Sequence, residues 1–329
     1  MRPIAGLVFG LALFAGAGLG GARAAPAAPP APRPMSELKI AAAIPVGKTA
    51  DWVRVTATKV WVGSKGPFAV HEIDPATNHV FDVPLPGDPC AGLAADADSL
   101  WVPLCGATPK LAKVDLKSRT LSAVFDVGPA AAEGGVAVGA GYVWLVTDKQ
   151  GALARIDPAT GAVVGVTRLP PGSYNPVFSD GRVWVSRAEG AELTVVDAKT
   201  AQVVGHVATG PGPRFLTAGA GAVWTLNQGD GSLSRIDTAG HRPVAAVPLN
   251  TPGAGGDIAY SDGVVWTTMI GTPLTAVDAA RGVILCQWKG AGGDAIGVGR
   301  GAVWLTDLTG GRVLRIDLSD VPKACRGGG

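Results

Sequence analysis

The stretch Arg155–Pro170, RIDPATGAVVGVTRLP, is written more than once: HEIDPATNHVFDVPLP runs from His71 to Pro86 and RIDTAGHRPVAAVPL from Arg235 to Leu249. Each copy places a short apolar segment before an aspartate, a small polar turn after it, and then a second alternating apolar segment. That order reads as two antiparallel strands joined by a turn. The aspartate begins the turn, where its carboxylate accepts backbone N–H groups and the following proline or small residue presets φ.

Working outward, every copy is preceded by an apolar residue and a tryptophan: Val60-Trp61, Leu100-Trp101, Val143-Trp144, Val183-Trp184, Val223-Trp224, Val265-Trp266 and Val303-Trp304, spaced by 40, 43, 40, 40, 42 and 38 residues. The matching aspartates, 12 to 14 residues later, are Asp74, Asp115, Asp157, Asp197, Asp237, Asp278 and Asp317. Seven copies at about forty residues match the period of a propeller blade. The sequence therefore predicts an all-β, seven-bladed β-propeller with four-stranded antiparallel blades. Turn formation and packing account for these aspartates and tryptophans without any catalytic role.

The last copy supplies three strand-like segments, DAIGVGRG, AVWLTDL and RVLRIDL, but no fourth. Residues 37–48, ELKIAAAIPVGK, align instead with the fourth-strand stretch AQVVGHVATGPG, Ala201 to Gly212. The N-terminal strand is thus predicted to complete the last blade and remove the open edges of the ring. Four cysteines in an exported chain point to disulfides. The topology suggests Cys90 with Cys105, tying the start of blade two to the loop after its tryptophan, and Cys286 with Cys325, clamping the seam.

The N-terminus carries Arg2, an apolar run from Ile4 to Gly21 and then Ala22-Arg23-Ala24, which reads as a secretory signal over residues 1–24. Residues 25–36, APAAPPAPRPMS, read as a disordered Ala/Pro tether, 37–325 as one propeller and 326–329 as a disordered tail. The protein is expected to be exported, periplasmic or extracellular, with no membrane attachment after cleavage, and monomeric. Removing the signal takes two arginines from 28 basic residues and leaves 26 against 26 acidic ones. A neutral chain lacks the positive footprint that nucleic acid requires.

Nine to eleven residues before each tryptophan, the chain enters an innermost strand at the mouth of the central channel. These positions are Asp51 and Trp52, Cys90 and Gly92, Glu133, Tyr174 and Asn175, Arg214 and Phe215, Asp257, and Asp294. Unlike the rest of the copy, this ring does not repeat. The loops between second and third strands add Lys65, Asp148, Lys149, Arg187, Glu189, Asn227, Asp230 and Asp307 on the same face. A mixed polar and aromatic mouth suits a small polar ligand, a peptide or a metal ion. Arg214 would contact an anion, Trp52, Tyr174 and Phe215 apolar groups, and Glu133, Asp257 and Asp294 a cation or hydrogen-bond donors. Asp51 and Asn175 complete the candidate ligand ring.

The pattern of Val143–Val164 and Val183–Val204 resembles the seven-bladed propellers of the streptogramin (virginiamycin B) lyase-like and YVTN-repeat superfamily, over nearly all of residues 37–320. The resemblance implies the fold, and the residues of the channel mouth are read as those of a binding or scaffold module for a small polar ligand or a protein or peptide partner. The lyase chemistry it would also imply needs a histidine general base and magnesium near the mouth. His71 falls on a third strand, His79 and His241 at turns and His206 on an outer strand, so no catalytic residue carries over and the catalytic set is unknown. The alternative is a metal-dependent hydrolase or lyase. Gluconolactonase-type propellers hold an axial divalent metal with Glu, Asn and Asp. Glu133, Asn175, Asp257 and Asp294 offer the same ligand types for Ca²⁺ or Mg²⁺, although those rings resemble six-bladed ones. No CxxC or HExxH occurs, and Ser, Cys and His are not expected to assemble a nucleophile.

Overall fold

Five of the seven turns predicted from an aspartate form around a pair of N–H groups on that carboxylate; Asp237 accepts one, from Gly240, and the Asp317 carboxylate accepts from the Arg315 guanidinium instead. Asp157 Oδ1 accepts the N–H groups of Ala159 and Thr160 at 2.9 and 2.8 Å, and Asp74, Asp115, Asp197 and Asp278 repeat the pair. Between the first and second strands, Ala140-Gly141, Asp180-Gly181, Ala220-Gly221, Asp262-Gly263 and Arg300-Gly301 all have positive φ. That is the two-residue hairpin turn whose twist matches the strands it joins.

The computed structural model describes residues 29–327 except residue 254. The hairpins build seven antiparallel blades around one axis. Their innermost strands are Lys48–Val55, the split pair Asp88–Pro89 and Ala94–Ala95, Val136–Gly139, Ser173–Ser179, Pro213–Gly219, Asp257–Ser261 and Ile296–Gly299. The seven repeat tryptophans sit on the second strands, each no more than 2% exposed, between one blade and the next. Burying such a ring contributes roughly 2–3 kcal/mol apiece. Three of the four basic residues that the third strands carry opposite the tryptophan place their cation over the indole, Lys113 on Trp101, Arg235 on Trp224 and Arg315 on Trp304, while Arg155 lies over the neighbouring Tyr142 ring instead. This explains the basic residue two places before the repeat aspartate.

Ala42–Pro45 pairs antiparallel with Arg312–Asp317 and supplies the missing fourth strand of blade seven. Both disulfides form as the topology suggests, Cys90–Cys105 and Cys286–Cys325, with Cα separations of 5.6 and 5.3 Å. Two expectations change at the ends. Arg33–Pro34, assigned to the tether, adds a parallel strand to the outer edge of blade six beside Trp288 and Lys289. A 3-10 turn, Met35–Glu37, then lowers Leu38 into the cluster of Trp266, Trp288, Cys286 and Cys325. Apolar burial at the seam outweighs the Ala/Pro bias of the segment. Past Cys325, Arg326 donates its backbone N–H to Lys323, so the ordered chain runs beyond the expected tail boundary. The expected signal, residues 1–24, lies outside the described residues, and no helix among the described residues is long and apolar enough to cross a membrane.

The disulfides close loops with sequence separations of 15 and 39 residues. Loop-closure entropy puts their worth at about 3 and about 4 kcal/mol respectively. Paired serine variants measured by denaturant unfolding should follow that order, with Cys286→Ser/Cys325→Ser losing more stability than Cys90→Ser/Cys105→Ser. The reverse order would mean that the blade-two loop, rather than the seam, limits unfolding.

Candidate functional site

Where the innermost strands enter the ring, three of them break register. The bulges fall between Asp51 and Val53, between Ser173 and Pro176, and between Pro213 and Phe215, freeing Trp52, Tyr174, Asn175 and Arg214 from the ladder. Trp52 and Glu133 also take left-handed backbone angles, φ 59° and 65°. Bulges and positive φ at large residues re-aim side chains at some cost in strain. Here they turn side chains of different blades toward one face of the ring.

Trp52 of blade one and Phe215 of blade five meet across the axis, ring centroids 6.0 Å apart, at 4% and 5% exposure. They are a plug joined to the core with Leu93 and Ile258, and are not displayed to a ligand as the sequence suggests. Asn175 is likewise committed to the scaffold. Its amide donates to the carbonyls of Arg214 at 2.9 Å and Glu133 at 3.4 Å, latching blades three, four and five. Asp51 is buried, with Oδ1 accepting the N–H of Trp52 at 2.8 Å. Asp257 accepts the N–H of Ile258 at 2.7 Å with one oxygen and that of Ile296 in blade seven at 3.3 Å with the other.

Among the residues left accessible, Arg214 lies over the Tyr174 ring at 4.8 Å, donates to the Tyr174 hydroxyl at 3.1 Å and to Gln228 Oε1 at 3.4 Å. Its Nε is buried with no partner. Gln228, not singled out by the sequence, donates in turn to the carbonyl of Gly255 at 2.7 Å. Lys149, Arg187 and Glu189 join Tyr174 and Arg214 around a pocket of about 510 Å³ beside the plug. Of the other loop residues, Asn227 is buried among Thr225, Ser232 and Ser234, and Asp148, Asp230 and Asp307 hold their own turns. Lys65 approaches Asp88 at 3.8 Å.

The carboxylates at this end disfavour one another's charge. Burial, then the neighbouring Asp294 and Glu133, push Asp51 up to about 8. Burial pushes Asp257 up to about 7, against its two backbone hydrogen bonds. Burial also raises Glu133 and Asp294, with Lys65 opposing both. The site is thus a set of acids whose proton affinity burial raises, Asp51 and Asp257 into the neutral range, next to a basic pocket. No three His, Cys, Asp or Glu side chains among the described residues are placed to hold a metal ion. The expected quartet Glu133, Asn175, Asp257 and Asp294 is therefore not gathered around a cation, and both oxygens of Asp257 accept backbone N–H groups instead.

One assembly departs from expectation. Ser64 Oγ lies 2.7 Å from His71 Nε2, and His71 Nδ1 lies 2.7 Å from Asp82 Oδ1. The residue types and order match a nucleophile triad, but Ser64 is 1% exposed and its Oγ also donates to the carbonyl of Pro67 at 2.8 Å. A β-carbon at Gly47 would fall 2.7 Å from that oxygen, so backbone covers it. The chain fastens three strands of blade one, and no substrate carbonyl reaches it. Pairing across strands, invisible in the sequence spacing, brings the three together.

The chain is therefore a seven-bladed β-propeller with a plugged axis and a charged face. No protein-family model matches its sequence, and no curated protein does. Among many solved structures of similar fold is BamB from Moraxella catarrhalis, at 14% identity and a TM-score of 0.61, covering 85% of this chain and 97% of that one. The likeness is one of fold.

The raised acids have a sign consequence. A carboxyl whose folded pKa lies above its unfolded value near 3.8 binds its proton more tightly in the folded state, so its contribution is full below pH 4 and is lost as pH rises through the folded pKa. Thermal melts should show stability falling between about pH 5 and 8.5, and Asp51→Asn with Asp257→Asn should flatten that slope and raise the melting temperature at pH 8. An unchanged slope would mean that these acids ionise freely in the folded protein.

Proposed function

We propose that the protein is a binding module whose charged face captures a dipolar small molecule or peptide, its anionic group beside Arg214, Lys149 and Arg187 and its cationic group over Glu133 and Asp294. The observation that carries this reading is that three inner strands bulge at one end of the axis, at Trp52, Tyr174–Asn175 and Arg214, whereas the bulges between third and fourth strands recur from blade to blade. The partnerless Nε of Arg214 and the burial that raises Glu133 and Asp294 add to it. A cation arriving there favours the ionised carboxylates, so binding should tighten as pH rises.

The two disulfides support an exported setting, periplasmic or extracellular, where such bonds persist. The repeat pattern supports descent from the streptogramin-lyase-like and YVTN propellers, with the scaffold kept and the histidine base absent from the mouth. A metal-dependent hydrolase of the gluconolactonase type is disfavoured because its ligand set is spent on backbone contacts.

Calorimetric titration against a panel of zwitterionic dipeptides tests the reading. For any peptide that binds, Arg214→Gln should weaken affinity by about 10- to 100-fold, the loss of one charge-assisted contact. Asp294→Asn should weaken it more at high pH, where the carboxylate is ionised, than at low pH. Equal affinity in both variants would move the ligand off this face.

A further inference from the structure

On each inner strand, one residue stands opposite the repeat tryptophan in the β-ladder. In chain order these are Arg54, Ala94, Ala137, Val177, Thr217, Ala259 and Gly297. Six are small or uncharged, as a crowded axis requires, and one is an arginine. Its neighbours Val53 and Val55 pack on Gly297 and Gly299 of blade seven, so Arg54 leaves the strand on the opposite face, and it is exposed where it lines the axial cavity. All seven residues line a cavity of about 400 Å³ around the axis.

Arg54 makes no hydrogen bond or ion pair to any described residue, although a guanidinium has five donors to satisfy. Water reaches it, yet the surrounding protein lowers its pKa by desolvation. Asp257, behind the plug and held by two backbone N–H groups, is the one acid among the cavity's lining residues. Thr217 belongs to blade five, the blade whose Phe215 meets Trp52 across the axis. Two residues further along the same two strands, Thr217 and Arg54 occupy equivalent rows below the plug, and the Thr217 hydroxyl also has no partner among the described residues.

We propose that the channel below the Trp52–Phe215 plug is a binding site for one small carboxylate or oxyanion, held by the Arg54 guanidinium with the Thr217 hydroxyl facing it. Arg54 is the one cation among the residues lining this cavity, and the planar fork of arginine presents two parallel N–H groups to a carboxylate or phosphate. A cavity of about 400 Å³ has room for acetate or phosphate. The site is distinct from the pocket around Arg214, which Arg54 does not line, and it holds whether or not that pocket binds peptides.

Calorimetry with acetate and with inorganic phosphate, at constant ionic strength in a low-chloride buffer, tests the assignment. One equivalent of saturable binding that depends on Arg54 is expected for the wild type, weakened at least tenfold in Arg54→Gln, less in Arg54→Lys, and unchanged in Arg242→Gln, an exposed arginine outside both pockets. Without added anion, Arg54→Gln should melt no lower than the wild type, because it removes a desolvated charge. The proposal is overturned if neither anion binds, if Arg54→Gln binds as tightly, if Arg214→Gln abolishes binding, or if a sulfated oligosaccharide too large for the channel competes equally well. Should Arg54→Gln fail to fold, Arg54→Lys carries the comparison, and unaltered affinity there for both anions would equally reject the bidentate assignment.

Discussion

Four backbone pairs between Ala42–Pro45 and Arg312–Asp317 hold the two ends of the chain in one sheet, and the rest of the ring depends on them. Each blade buries its tryptophan layer only against the next blade, so an open ring would leave one blade face bare and one sheet edge unpaired. The chain reinforces this seam twice. The Cys286–Cys325 disulfide draws the C-terminus onto blade six, and Arg33–Pro34 with Leu38 covers the same disulfide from the other end. An Ala/Pro segment that cannot build a core of its own becomes ordered because the seam offers it one.

A closed repeat imposes near-equivalence on its copies, and that equivalence makes the exceptions informative. Regular pairing would carry side chains of the inner strands alternately toward the two neighbouring blades. The bulges at Trp52, Tyr174–Asn175 and Arg214 interrupt this alternation at one end of the axis. Their result is twofold: aromatic rings from blades one and five meet across the axis, and a basic pocket opens next to a cluster of acids whose proton affinity burial raises. Strain of this kind persists because the surrounding latches, Asn175 to blades three and five and Asp257 to blade seven, over-determine the backbone.

The axis is also uneven electrically. Burial raises the proton affinity of Asp51, Glu133, Asp257 and Asp294, and the charges of Asp294 and Glu133 add to the effect at Asp51 and Asp257. Arg54 stands on its inner strand without a hydrogen bond or ion pair to any described residue, in a cavity whose one acid, Asp257, is held by two backbone N–H groups.

The sequence by itself determined the architecture. Blade number, the aspartate turns, the tryptophan plugs, the closing strand and the cysteine pairing all follow from patterns with a period of about forty residues, and local turn chemistry and strand alternation are encoded locally. The candidate site was legible only in part, because the counting rule located the mouth but could not tell a displayed side chain from a spent one. Trp52 and Phe215 became a plug through a contact between positions 52 and 215. Asn175 became a latch through carbonyls in two other blades, and Ser64, His71 and Asp82 met across three strands. Arg54 looked like one residue of an ordinary strand until the register set it among six small neighbours. Tertiary structure decided these roles because each depends on distances between blades, which ring closure sets and no local pattern records.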